Sequence, residues 1–442
     1  MADTGLIKQL GASIQGASIQ LHEHLQQLGH PSPTFDADTP IHVLPSSAPQ
    51  EAHLLRHRLK QEALALFRLV SGPDEYIAHI SLHHQYTICL RYLSYFQIFQ
   101  HVPFEIPITF AALAEKAQVP LPQLAAILRM ATTSGLFVIP SPNTVTHSAV
   151  SRLIAKQSSA AAWATCISQL VFDASCQLNT ATERWGSSPG PVHSPFNLAF
   201  RADVPFGQYL GQNPDVARVM GEFVQATGMV DANDIRHMVT GYAWEQLGSA
   251  KIFDVGSTSI SLSEALARAF PQLSFEIIPQ TRAATRIETG FETLDKDLRR
   301  RIQLKGPGFI DLAEVAAAAA EAAASTDLID TRTFVLHHVL HNLPNPICQS
   351  ILTHLSSALR HETDRILILD LVLPESNELD PYDEAMLGTR AMIQLELANA
   401  RVRGRGDWEA LAQTVEPGLR ILNLSRPVGS DLAILEIGLG SL

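Results

Sequence analysis

Residues 251–278 read KIFDVGSTSISLSEALARAFPQLSFEII, and this stretch decides the fold. The short segment KIFDV, apolar at Ile252, Phe253 and Val255, is followed by a segment with helical spacing of Leu262, Leu266 and Ala267, and then by a second mainly apolar segment, LSFEII. That is strand, helix, strand. The rhythm continues downstream with FVLHHVL (334–340), RILILDLVL (365–373), LRILNL (419–424) and AILEI (433–437). Short buried strands alternating with helices predict a doubly wound α/β sheet, whose ligands bind beyond the carboxyl ends of its strands. The alanine run DLAEVAAAAAEAAAS (311–325) has strong helix propensity and is expected to be a surface helix without chemistry.

Upstream the pattern differs. Leu6, Leu10, Ile14, Ala17, Leu21, Leu25 and Leu28 recur every three or four residues, predicting an amphipathic helix that ends near Gly29. The Pro- and Ser-rich segment 30–50 reads as an extended connector, and a second helix is expected from Glu51 to Val70. Residues 108–154 read as helix, turn, helix, two short strands around Ser141-Pro142-Asn143, and a closing helix, which is a winged-helix pattern. Between 160 and 247 the chain is helical and rich in rings, among them Trp163, Phe196 and Phe200. The expected organisation is therefore an N-terminal helical and winged-helix region (1–155), a helical substrate-pocket segment (156–247) and an α/β domain (248–442).

Composition excludes several classes of function. Thirty-two Lys and Arg against 44 Asp and Glu give a net charge of −12 over 442 residues. A DNA-reading role for the winged helix is disfavoured, because Arg129 is the one basic residue of helix 121–134. No nucleic-acid partner is expected. Cys89, Cys166, Cys176 and Cys348 share no Cys-x-x-Cys spacing, so neither a zinc knuckle nor a disulfide framework is encoded. The first 25 residues carry Lys8, His22 and Glu23 where a signal peptide would need an unbroken apolar run, and no segment is long enough to span a bilayer. A cytoplasmic protein without membrane contact is expected, and its mean hydropathy of +0.08 points to an apolar pocket or surface.

The order of these segments, with HSPFNLAF (193–200), Tyr242 and Trp244, LDLVLPES (369–376) and GDWEALAQ (406–413), resembles the fungal O-methyltransferases of the caffeate type along nearly the whole chain. The resemblance implies an α+β N-terminal helical and winged-helix dimerisation domain followed by an α/β Rossmann-like class I methyltransferase domain, assembled as a homodimer. It also implies an S-adenosylmethionine loop of the form D-V-G-G-x-x-G. Asp254, Val255 and Gly256 keep the start of that loop, but Ser257 and Ile260 replace its second and third glycines. Ile260 is expected to bring bulk into the cofactor channel and to resist a positive φ. The ribose-binding acid falls on Ile278–Gln280, where no carboxylate stands, and the adenine-positioning H-D-F-F element corresponds to KGPGF (305–309), also without its acid. No bound cofactor is expected, with S-adenosylmethionine disfavoured by these three losses.

The resemblance places the family's general base on His341, in His341-Asn342-Leu343, and its assisting glutamate on Val402. An uncharged Val402 is expected to leave His341 without an orienting partner. His337 and His338 precede it on a strand and are expected to face opposite sides. Asp370, late in the strand 365–373, is a further catalytic candidate, while Trp163, Phe196, Phe200, Met392 and Val402 are assigned to the substrate pocket. No metal is expected, because H-H-x-x-H lacks the glutamate of a zincin and does not form a helical ligand pair. Three functions are weighed. The first resembles the O-methyltransferase-like pericyclases, which close rings of a polyketide-derived, pyridone-containing quinone methide by Alder-ene or hetero-Diels-Alder reactions, in some cases after dehydration. The second is an ordinary small-molecule O-methyltransferase. The third is a catalytically silent partner of an active one.

Overall fold

The computed structural model describes residues 5–45, 47–228, 233–280, 283–305, 312–324, 331–341, 343–375, 378–379, 381–416 and 418–440. The chain forms two compact units, Met1–Gly228 and Met229–Leu442, and the segment 156–247 is shared between them.

In the first unit the amphipathic helix Leu6–Gln27 buries Ala17, Leu21 and Leu25 against the helix Gln50–Tyr95. That second helix runs well past Val70, where the sequence reading ended it. Gly72 (φ +67°) and Pro73 put a kink in it, and the helical pattern then resumes to Tyr95. The winged helix is present as expected. Strand β1 (Ile108–Thr109), helices Phe110–Ala117 and Leu121–Thr133, and strands β2 (Phe137–Val138) and β3 (Thr144–His147) follow in order. The three strands form an antiparallel sheet in the order β1-β3-β2. Thr109 caps the first helix by accepting from the Ala112 amide at 3.2 Å, and Phe99, Phe110, Leu113, Leu124, Leu128, Phe137 and Val145 form the core.

The second unit holds a seven-stranded sheet of β4 (Lys251–Ser257), β5 (Ser274–Pro279), β6 (Ile302–Leu304), β7 (Arg332–His337), β8 (Arg365–Asp370), β9 (Leu419–Ser425) and β10 (Ala433–Leu439). Their order is β6-β5-β4-β7-β8-β10-β9, with β10 antiparallel to both of its neighbours and the other pairs parallel. Sequence reading had missed β6, a three-residue edge strand. Alternation sorts the two faces: Phe253, Val255, Ile366 and Ile368 enter one core, Ile252, Leu367 and Leu369 the other.

The alanine-rich helix, Leu312–Ala324, is not a surface helix. Ala318 is buried, and Val315, Ala316, Ala319, Ala320, Ala322 and Ala323 enter the first of these cores, against helix Asn345–Ser357. Only a narrow face, with Glu314 and Glu321, meets solvent, and methyl side chains on the rest allow close approach to the sheet. Among the described residues, no helix is long and apolar enough to cross a membrane.

Candidate active site

The carboxyl ends of β7 and β8 bring together four of the residues singled out from sequence. In the parallel register His337 lies beside Leu369, and the His338 amide donates to the Leu369 carbonyl at 3.1 Å. At His338 the backbone leaves the strand with φ +56°. The expectation that His337 and His338 face opposite sides therefore fails, because alternation requires extended backbone and His338 is left-handed. The two rings lie 4.6 Å apart, and those of His338 and His341 5.9 Å apart.

His341 Nδ1 stands 2.7 Å from Asp370 Oδ1. Oδ2 of the same carboxylate accepts from the amides of Leu340 (2.9 Å) and His341 (3.1 Å), and Oδ1 from that of Leu371 (2.9 Å). Burial alone would push the Asp370 carboxyl up, but His341, with His338 and the Leu371 amide, holds it at about 2. Burial likewise opposes the imidazolium of His341, and the Asp370 charge overcomes it and raises His341 above its ordinary value. Burial takes His337 down to about 4 and His338 well below the usual range. The arrangement is an imidazole–carboxylate dyad, in which the carboxylate favours the charged imidazole, beside two imidazoles that burial keeps neutral.

Val402 is buried in the core that holds Leu369, Leu371 and Leu387. It leaves no charge near His341, but the predicted loss of an orienting partner does not follow, since Asp370 fills that role from the neighbouring strand. Sequence reading missed Arg403. Its guanidinium donates to the carbonyls of Leu340 (2.9 Å) and Leu343 (2.6 Å) and to the Asn345 side chain (2.9 and 2.7 Å), and it lies over Trp408. It thus clamps the turn that carries His341. A signal existed: an arginine directly after Val402, in a segment matched to the family, had no role assigned. Of the other proposed pocket residues, Met392 is 42% exposed on helix Pro381–Ala398. Trp163, Phe196 and Phe200 belong to the first unit. There Trp163 packs on Phe223, and Phe196 is fully buried among Phe200, Phe206 and Tyr209.

The loop after β4 keeps part of its expected form. Gly256 has φ +73°, and a Cβ there would come 2.9 Å from Leu312 and 3.4 Å from Val339. Ser257 donates to the Ser259 carbonyl at 2.7 Å. Asp254 accepts from Ser263 at 2.7 Å, and burial raises it to about 6. Ile260 takes no positive φ, as expected, but its side chain does not project into the loop. Its φ is −74°, which a β-branched residue adopts without strain, and its side chain is buried in the core with Leu262, Ile287 and Phe291, close to Gly290. Gln280, at the ribose-acid position, donates its amide to the Gly256 carbonyl at 2.9 Å. Of KGPGF, Lys305 donates to the Ala318 carbonyl at 3.0 Å, and residues 306–309 lie outside the described residues.

No family profile matches the chain. The O-methyltransferase aoiF of Aspergillus oryzae is 32% identical to it over 423 residues, covering 95% of this chain and 97% of that protein. The chain belongs to the fungal O-methyltransferase family. The O-methyltransferase aurJ of Gibberella zeae is 29% identical over 99% of both chains. Among solved structures, OxaC matches at TM-score 0.65 and 16% identity, over 98% of this chain and 100% of its own, which confirms the class I methyltransferase fold.

OxaC has been solved with sinefungin and meleagrin, and with SAH and oxaline. The fold thus accommodates ligands of the S-adenosylmethionine class, and the expectation of a cofactor-free family member gains no support from its neighbours. The fit of this chain's own residues is a separate matter. The turn at Gly256 and the removal of Ile260 from the loop favour the cofactor. Against it, Gln280 offers the ribose hydroxyls a neutral amide oxygen where a carboxylate is expected, while its amide nitrogen donates to the Gly256 carbonyl. At the ribose-acid position no carboxylate stands, and no step is routed through the cofactor. Gln280→Glu is expected to tighten SAH binding roughly tenfold or more, since an ionised acceptor strengthens a hydrogen bond by about 1.5 kcal/mol. Calorimetry on both proteins checks this, and unchanged affinity would reject Gln280 as the limiting position.

Proposed function

We propose that this O-methyltransferase-family protein is a pericyclase-like cyclase of fungal secondary metabolism, acting on a polyketide-derived, pyridone-containing quinone methide without methyl transfer. The observation that carries the proposal is the His341–Asp370 dyad, retained beside a cofactor loop whose ribose acid is an amide bonded to Gly256. A pericyclic ring closure moves no group. It needs the substrate held in a reactive conformer and a donor on the carbonyl oxygen that gains negative charge. An imidazolium favoured by Asp370 is such a donor, and in its neutral form His341 can take the acidic proton of an alcohol precursor and pass it to the departing hydroxide, which leaves as water.

The relatives named as O-methyltransferases favour the second reading, methyl transfer to a small-molecule hydroxyl with His341 as base. One assay separates the two. The alcohol precursor is incubated with and without enzyme, in the presence and absence of S-adenosylmethionine, and the products are analysed by chromatography and mass spectrometry. Ring-closed isomers lighter than the alcohol by one water, formed without the cofactor, support the proposal. A product heavier by one methyl group, formed only with it, establishes the second reading.

A homodimer is part of the same proposal. In the first unit Ile19, Phe67, Val70, Ile77 and Ile80 are all exposed, and apolar surface left in water costs about 25 cal/mol per Å². Light scattering is expected to give twice the chain mass at micromolar concentration; a stable monomer would refute the dimer.

A further inference from the structure

We infer that His338, His341 and Asp370 form a binding site for one divalent transition-metal ion of the zinc class. Each offers one ligand atom, and these atoms all lie within 4.8 Å of one another. In a tetrahedral site with bonds near 2.0 Å, ligand atoms stand roughly 3.3 Å apart, so a site needs the 2.7 Å His341–Asp370 pair to open slightly and the wider pairs to close by rotation of two partly exposed imidazoles. The sequence reading excluded a metal because H-H-x-x-H forms no helical pair. The structure assembles the ligands by another route, through the left-handed turn at His338 and a carboxylate from the adjacent strand.

Two further features suit an ion. Three backbone amides fix the Asp370 carboxylate, the kind of support that orients a metal ligand. His338 holds a conformation that non-glycine residues seldom adopt, and the result is a ring set beside those of His337 and His341. Arg390 is the cation whose charge bears on both imidazoles, and it is paired with Asp431 at 3.0 Å and with Asn233 at 2.8 Å. Two neutral imidazoles and one carboxylate leave a fourth position for water or a substrate oxygen, and this set suits zinc or cobalt better than magnesium or calcium. The ion would replace the proton between His341 and Asp370. Metal binding stands on geometry alone; its expected inhibition of the cyclase rests on the function proposed above.

The test uses the full chain, stripped of metal with a chelator and titrated with Co2+, read by the visible absorption of four-coordinate cobalt. One equivalent per chain is expected, displaced by Zn2+. His338→Asn keeps a residue that tolerates the left-handed backbone but removes the imidazole, and is expected to weaken binding at least tenfold. His83→Ala is the surface control, because His79 and His83 place their Nε2 atoms 3.4 Å apart on an exposed helix; it should leave the band unchanged. The inference is overturned if no four-coordinate band develops with excess Co2+, if His338→Asn binds as tightly as the parent, or if His83→Ala abolishes the band. A cobalt site in a protein that fails the cyclase assay would uphold the site and reject the reaction.

Discussion

Replacing His341 with alanine is expected to slow ring closure by roughly 10- to 1,000-fold while the protein stays folded, the range for removing one donor to developing charge. His341 is part-exposed and lies in a turn after β7, so its loss opens no core cavity. The dyad makes a second, sharper claim. Because Asp370 raises His341 above its ordinary value, the charged donor is complete below the unfolded value of about 6.5 and is lost as pH rises through the raised one. The rate should fall along that limb. Asp370→Asn removes the charge that raises His341, so the limb should move to lower pH even where the rate at its plateau survives. A pH–rate profile of the three proteins is the measurement. A His341→Ala enzyme with parental activity, or a limb that Asp370→Asn leaves in place, would remove His341 from the chemistry.

Much of this was legible in the sequence because periodicity reports burial. The strands that alternate between two apolar cores, such as Arg365–Asp370, announced themselves, and so did the winged helix. Position beyond the strand ends was less legible. Opposite facing of His337 and His338 follows from extended backbone, and one left-handed residue cancels it. Ile260 was read as a blocking group because a glycine stands there in the family, but the side chain turns into the core beside Gly290. A bulky residue at a loop position says what the loop lost; where the atoms go is decided by the neighbouring helix. The alanine run shows the same limit, since helix propensity says nothing about which side of the sheet takes the helix.

Arg403→Leu is expected to be the most destabilising of these changes. The guanidinium is buried, and it satisfies the carbonyls of Leu340 and Leu343 and the side chain of Asn345 at once. Leucine fills much of the same volume but leaves the Asn345 oxygen without the guanidinium and the two carbonyls with only weaker donors, the Cys348 thiol and, for Leu340, the Leu343 amide. Hydrogen bonds to charged groups contribute about 1.5–3 kcal/mol each and are not additive within one cluster, so a loss of roughly 3–5 kcal/mol is expected. In a unit of this size that lowers Tm by about 6–20 °C. Arg403→Lys separates charge from geometry: a single ammonium keeps the charge but cannot span two carbonyls and an amide in one plane. It should recover less than half of the lost stability. Calorimetric unfolding of the two variants decides the matter, and a Tm within about 2 °C of the parent for Arg403→Leu would show that the turn carrying His341 is held by its own backbone and by the Cys348 thiol beneath it, not by the arginine.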